Sequence, residues 1–396
     1  VTALAVLSWL SVNACAAPSQ STRTECFSYF TFALPGDIEY ATLRLDRVPD
    51  LGGVHGGEYR FTNGPWSTPT FIQPEGGPSP DRLSDGEIQV SDAATVLALQ
   101  NRLQKVNQAR EKEKAAFLKS AQEGPPDLKD LRETKAQDIF LFDSFNDGAA
   151  IAARAIRKTN VQTEAGYVEQ SEILVEFSAL VRDHIVSSYR KLIGTPQETV
   201  GGFLARYRGR APFEIPPVPG VCTPYGYVSG PSPLPARVAA SMRLLDRPDI
   251  VVYLDIKDAS RSNETIKEYI DRVTSPGREL FAGSEAAAPL DRLRPLRPIT
   301  IDGREGMGTF AKILRRVAHD PANAVNNPAT QNIDWGYLAY VPGEKGGAPG
   351  SSFDVTVKVE RYGRFAKAPM TEKEFRKLAV EIAESVKRRP GAWMPN

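Results

Sequence analysis

The side chains best suited to chemistry are few and scattered. The chain holds three cysteines (Cys15, Cys26, Cys222) and three histidines (His55, His184, His319). The histidines have no metal-ligand spacing and no Cys-x-x-Cys occurs, so neither a metal nor a cofactor is expected. A serine hydrolase of the strand–turn–helix kind would carry Gly-x-Ser-x-Gly. The nearest piece, Gly283-Ser284-Glu285, lies in an alanine-rich stretch without those flanks. Cys222 would need a base or a helix N-terminus to become a nucleophile, and its neighbours Pro216, Pro217, Pro219 and Gly220 supply neither. GREGMGT (303–309) is a glycine-rich loop ahead of a helix or a strand. Backbone N–H groups there could cradle a phosphate, but the Lys-Ser/Thr of a P-loop is missing, and a turn between strands is the stronger reading. These residues assemble no catalytic group, and the sequence favours a binding protein over an enzyme.

The elements that must position such residues read as α+β. At 396 residues, about two domains are expected. Lys+Arg and Asp+Glu nearly cancel, 49 against 48, which gives no electrostatic basis for a nucleic-acid partner. No apolar run has the ~18–20 residues of a transmembrane helix. Residues 1–17 read as a secretory signal: an apolar run, TALAVLSWLSV (2–12), followed by small residues. Two kinds of processing fit: Ala14-Cys15-Ala16 suits an A-x-A cut, whereas Val12-Asn13-Ala14-Cys15 resembles a bacterial lipobox in which Cys15 is lipidated. Export leaves Cys26 and Cys222 as a pair in an oxidising compartment. A bridge between them is the simplest arrangement, with two buried thiols as the alternative.

Periodicity supplies the rest. CFSYFTFAL (26–34) and DIEYATLRLD (37–46) read as strands joined at Pro35-Gly36, and a long charged helix is expected to start at Ser91-Asp92. DIFLFDS (138–144), EAGYVE (164–169) and SEILVEFSAL (171–180) read as strands, and RDHIVSSYRKLI (182–193) as a helix. A helix opening at Thr195-Pro196 leads to the proline cluster near Cys222, which reads as a stiff connector. Beyond it, DIVVYLDIK (249–257), LRPITIDG, IDWGYLAYV (333–341) and FDVTVKVERY (353–362) read as strands. SNETIKEYIDRV (262–273) reads as a short helix capped by Ser262 or Asn263. A last helix is capped by Thr371 and Glu374, with Phe375, Leu378, Ile382 and Val386 as its buried stripe and Lys387, Arg388 and Arg389 complementing its C-terminus. Strands in runs with helices between them argue for two α+β domains, 24–212 and 213–396, each a mainly antiparallel sheet with packed helices.

Five separated pieces in order, CFSYFTFALP (26–35), IPPVPGVCTPYGYVSG (215–230), ITIDGREGMG (299–308), WGYLAYVPGEKGGAPGSSFDVTVKVE (335–360) and VEIAESVKRRPGA (380–392), resemble one family. It is the immunity proteins that bacteria carry against their own type VI secretion lipase effectors, the Tli type with an N-terminal and a C-terminal domain. Departures occur: Ser28-Tyr29 stand where Gly-Arg is usual, and Met307-Gly308 replace an acidic pair. The resemblance implies a periplasmic antitoxin of a Gram-negative bacterium, either free or tethered to the outer membrane through Cys15, whose partner is a lipase or phospholipase effector. Aromatic anchors dominate many protein interfaces, which makes Trp335, Tyr337 and Tyr340 candidate contacts, with core packing on a strand as the competing role. The alternative function is an envelope lipoprotein with a structural, ligand-binding or enzymatic task, using Arg304 and Gly306 on a phosphorylated ligand.

Overall fold

A computed structural model describes residues 22–43, 59–62, 71–73, 88–123, 142–144, 149–163, 166–191, 196–230, 237–259, 265–269, 296–314, 333–344 and 351–392. The expected signal, Cys15, His55, His319 and Gly283-Ser284-Glu285 lie outside these residues. The chain is α+β, built mostly from antiparallel strands.

In chain order, the first half contributes β1 (Thr22–Phe27), β2 (Phe30–Pro35), β3 (Ile38–Tyr40), β4 (Thr42–Leu43), β5 (Tyr59–Arg60), β6 (Phe71–Gln73) and β7 (Ile88–Ala93). Helix α1 (Val96–Glu123) precedes β8 (Phe142–Ser144), β9 (Ala149–Thr163), β10 (Gly166–Val181) and β11 (His184–Lys191). Helix α2 (Pro196–Arg206) leads to β12 (Tyr207–Gly209), β13 (Gly220–Thr223) and β14 (Gly226–Ser229). Then come β15 (Arg237–Leu244), β16 (Ile250–Asp258), β17 (Arg297–Ile301), β18 (Arg304–Leu314), β19 (Ile333–Val341) and β20 (Phe353–Arg361). The chain closes with α3 (Glu372–Glu384) and β21 (Lys387–Arg388).

Four sheets result. A seven-stranded sheet runs β5-β4-β7-β11-β10-β9-β8, and an eight-stranded one runs β17-β18-β19-β20-β16-β15-β3 with β6 also on β15. Two three-stranded sheets, β1-β2-β21 and β12-β14-β13, are joined to each other by the Ser28–Cys222 backbone bridge. Strands β3 and β6 thus complete a sheet otherwise made by residues beyond 236, and β2 pairs with the C-terminal β21. The alternating valines of β20 face the main core, where Phe375, Ala379, Ile382 and Ala383 of α3 are buried. The opposite face of β20 is covered as well, since Asp354, Thr356 and Glu360 are also buried.

Several local expectations are corrected. Residues 26–34 are not one strand, because the chain reverses at Ser28-Tyr29, where Ser28 adopts φ 54° and Phe27 pairs with Phe30. No Gly or Asn marks that turn. Residues 184–191 form a strand, not a helix: Arg182 at φ 60° closes a two-residue turn that folds β11 onto β10. Ile185, Val186, Ser187 and Ser188 are then buried in succession, as a strand covered on both faces requires. Ser91-Asp92 belong to β7, and the α1 cap is Thr95, whose hydroxyl accepts the Ala98 N–H at 3.2 Å. On α1, Leu99 is buried and Val96 is exposed. Thr265, not Ser262 or Asn263, caps the helical turn at 266–269, exchanging hydrogen bonds with Glu268. The capping box of Thr371 and Glu374 is present as expected. Lys387 and Arg388, however, form a strand on β2 instead of extending the helix end.

Candidate interaction surface

Cys26 and Cys222 are joined by a disulfide, with Cα atoms 5.9 Å apart and 196 residues of separation. The turn residue Ser28 sits beside it, donating its N–H to the Cys222 carbonyl (2.8 Å) and accepting the Cys222 N–H (2.9 Å). The bridge and Tyr227 form a small buried cluster. Next to them Arg210 and Glu25 pair at 2.6 Å, both sealed from solvent. The Arg210 guanidinium donates to the carbonyls of Cys26 (2.7 Å), Thr223 (3.1 Å) and Gly226 (3.0 Å), and to the Tyr40 hydroxyl (3.4 Å). Glu25 accepts the backbone N–H of Cys26 (2.8 Å) and of Phe213 (2.5 Å). Burial works against the Arg210 charge, but Tyr40 and Glu25 outweigh it and raise its pKa. Burial, then the neighbouring Glu25, lifts the Tyr40 phenol well above its ordinary range. Arg210 and Glu25 are occupied in holding backbone, and together they fix β1, the turn after β12 and the β13–β14 turn to one another.

From this junction emerges residues 213–219. Phe213 has φ 67° and lies under the Arg23 guanidinium, 3.9 Å from its ring centroid. The Glu214 carboxylate accepts the Ala211 N–H (2.9 Å), which holds its pKa below the ordinary value, and pairs with Arg182 (3.3 Å). Arg389, itself buried, reaches up from below. Its guanidinium donates to the carbonyls of Pro216 (2.7 Å), Val218 (3.1 Å) and Gly220 (2.8 Å). The Tyr227 hydroxyl donates to the carbonyls of Val218 (2.6 Å) and Pro219. With these carbonyls turned inward, Ile215 and Val218 are 42% and 48% exposed, and Pro217 is exposed between them. A proline-braced apolar ridge therefore stands on a cross-linked base.

The aromatic side chains singled out in the sequence lie elsewhere and are divided by β19. Trp335 is partly buried, 5.8 Å from the Phe375 ring, with the Arg361 guanidinium 4.7 Å over it. Tyr337 is buried in the same core, and burial, with Glu384 nearby, pushes its pKa up to about 12. Tyr340 is buried on the opposite face, stacked on Tyr269 at 3.8 Å. The three do not form one cluster.

GREGMGT is part of the β17–β18 hairpin. Asp302 and Gly303, both at positive φ, make its two-residue turn, as a type I′ hairpin requires. The Arg304 guanidinium donates to the carbonyls of Pro342 (3.0 Å) and Phe353 (2.7 Å). Gly306 packs so closely on β19 that an added Cβ would lie 2.3 Å from the Tyr340 carbonyl oxygen. These contacts direct the segment at the protein's own backbone and form no phosphate cradle. His184 lies with Nδ1 2.8 Å from the Ser91 carbonyl and its ring on Tyr225. Among the described residues no group of three or more His, Cys, Asp or Glu could hold a metal, and no helix is long and apolar enough to cross a membrane. Sequence reasoning missed Glu25 and Arg210, which carry no motif; Tyr227 and Arg389 lie within the second and fifth of the pieces above, but their hold on the 216–220 backbone was not foreseen.

No protein-family model matches the chain, and no curated protein matches it. Solved structures do. The chain is similar to the immunity protein TplEi of the type VI secretion system from Pseudomonas aeruginosa, complexed with an "L" peptide: 14% identity, TM-score 0.48, covering 94% of this chain and 99% of that one. The apo form of TplEi gives 14% identity and a TM-score of 0.48 over 93% and 97%. A chain of the Tle4–Tli4 complex gives 14% identity and a TM-score of 0.48 over 94% and 99%.

Proposed function

We propose that this protein is a periplasmic immunity protein that binds a type VI secretion lipase or phospholipase effector and blocks it, and that it acts as a binder with no catalysis of its own. One observation carries this reading. The five sequence pieces that resemble the Tli-type family, up to hundreds of residues apart, are bonded to one another in a single junction. The first is tied to the second by the Cys26–Cys222 bridge and to the fifth by the pairing of β2 with β21. The third meets the fifth where Asp302 accepts the Arg388 N–H (2.8 Å), and meets the fourth through Arg304 and Phe353. The fifth meets the second through Arg389. A resemblance confined to one connected unit of structure is what shared architecture produces, whereas chance matches would scatter. The disulfide supports an oxidising compartment, in keeping with the expected signal at 1–17 and with lipidation at Cys15 as its anchored form.

The test is direct. The mature chain, mixed with the purified lipase encoded beside its gene, is expected to elute as a 1:1 complex and to abolish hydrolysis of a fluorogenic phospholipid at equimolar ratio. A lipase that stays fully active and migrates alone would overturn the assignment.

A further inference from the structure

We propose that residues 213–218, with Arg23 beside them, form a membrane-facing patch that rests on the bilayer holding the lipid of Cys15. It rests on lipidation at Cys15, proposed above, and adds the surface of the folded protein that meets the membrane.

The covalent chain decides which surface lies near the bilayer. Thr22, the first residue of β1, follows Cys15 by seven residues, which span about 25 Å at most when fully extended. A lipid on Cys15 therefore holds the start of β1 close to the membrane. The next residue, Arg23, places its guanidinium over the Phe213 ring, 3.9 Å from the centroid. Two residues further on, Glu25 accepts the Phe213 N–H (2.5 Å). The tether and residues 213–218 thus meet at one place on the protein.

The chemistry found there suits the boundary of a bilayer. Ile215 and Val218 are 42% and 48% exposed, with Pro217 exposed between them. At their flank, partly buried Phe213 and the cation of Arg23 supply an aromatic ring and a basic head, the pair of groups that settles between lipid headgroups and acyl chains. Pro216, Pro217 and Pro219 have no N–H to satisfy. The carbonyls of Pro216, Val218 and Pro219 already accept from Arg389 and Tyr227, so these backbone groups enter an apolar layer paired. The carboxylates bonded into the patch are matched as well, Asp37 by Arg23 and Glu214 by Arg182. Neither stands as a bare negative charge before anionic headgroups. A lipid chain and a second apolar contact on one protein act together and hold it more firmly than either alone.

The experiment uses the mature chain extracted from membranes and reconstituted into vesicles whose phosphatidylcholine carries bromine on its acyl chains. Mass spectrometry is expected to find Cys15 acylated. Tryptophan is introduced as Ile215→Trp and, separately, as Val218→Trp. Both positions lie on the surface, so thermal unfolding is expected at the wild-type temperature. The fluorescence that each adds to the wild-type signal is expected to fall by more than half relative to vesicles without bromine. An acylated chain in which neither added tryptophan is quenched overturns the patch and leaves the lipid reading standing. An unmodified Cys15 overturns both. The soluble variant Cys15→Ser/Ile215→Ser/Val218→Ser is compared with Cys15→Ser for inhibition of the lipase encoded beside the gene and for mass in sedimentation. The two are expected to agree in both. A loss of inhibition of about tenfold or more would assign the patch to the lipase, and a change from dimer to monomer would assign it to a second copy; either overturns the proposal.

Discussion

Arg210 is sealed from solvent, yet its guanidinium is matched by the Glu25 carboxylate and by backbone carbonyls from three separate segments. The pair therefore acts as a joint. A buried pair gives little net stability relative to an apolar pair of the same shape, but breaking one side leaves a bare charge inside. Arg210→Met is expected to lower the unfolding free energy in urea by about 3–5 kcal/mol. Adding Glu25→Gln to it should restore part of that loss, because the stranded carboxylate is then removed. A strictly additive double variant would show that the two residues do not act on each other. The two cysteines of this junction were legible in the sequence, since export and an even count left a short list of partners. Glu25 and Arg210 were not, because charged residues 185 positions apart carry no pattern that distinguishes a buried pair from two solvated ones. Arg389 was misread for a related reason. Its place after an amphipathic helix suggests a helix-end charge, whereas a two-residue strand on β2 turns it towards Pro216 and Val218.

Among elements, the strands of the eight-stranded sheet and the last helix were the most legible. The alternation in Phe353–Val359 and the 3–4 spacing from Phe375 to Ile382 are long enough for one period to win. Two-residue turns were the failures. Ser28 and Arg182 take positive φ without being glycine or asparagine, so β1–β2 and β10–β11 turn where no punctuation is visible. The His184–Lys191 segment then offered apolar residues at helical spacing, and the pairing with β10 overrode them. Glycines illustrate how one substitution changes sign with its element. Gly306 lies under β19, where an alanine Cβ would meet the Tyr340 carbonyl. Gly306→Ala is expected to cost about 1–3 kcal/mol through forced displacement of the strands. Gly202 lies in α2 with nothing within 4 Å of the added Cβ. Gly202→Ala is expected to stabilise by about 0.5–1 kcal/mol, from helix propensity alone. Thermal melts of the two variants should move in opposite directions. A shared direction would contradict the packing described for the β17–β18 hairpin.

At the scale of the whole molecule, the two halves of the chain are linked by more than a covalent bridge. β3 and β6 pair with β15, β2 pairs with β21, and the Ser28–Cys222 backbone pair lies beside the disulfide. Strand order of this kind is non-local, and no local sequence signal encodes it; a proline-rich connector between two halves is what composition alone suggests. The disulfide closes a loop of 196 residues, which in the chain-entropy account stabilises by about 5 kcal/mol at most. Because these strand pairings do not run through the bridge, Cys26→Ser/Cys222→Ser is expected to fold with unchanged far-ultraviolet circular dichroism. Its stability in urea should nevertheless fall by about 2–5 kcal/mol. Free-thiol labelling of the native, unreduced wild type should find Cys26 and Cys222 unreactive. Labelling of both would contradict the bridge between them.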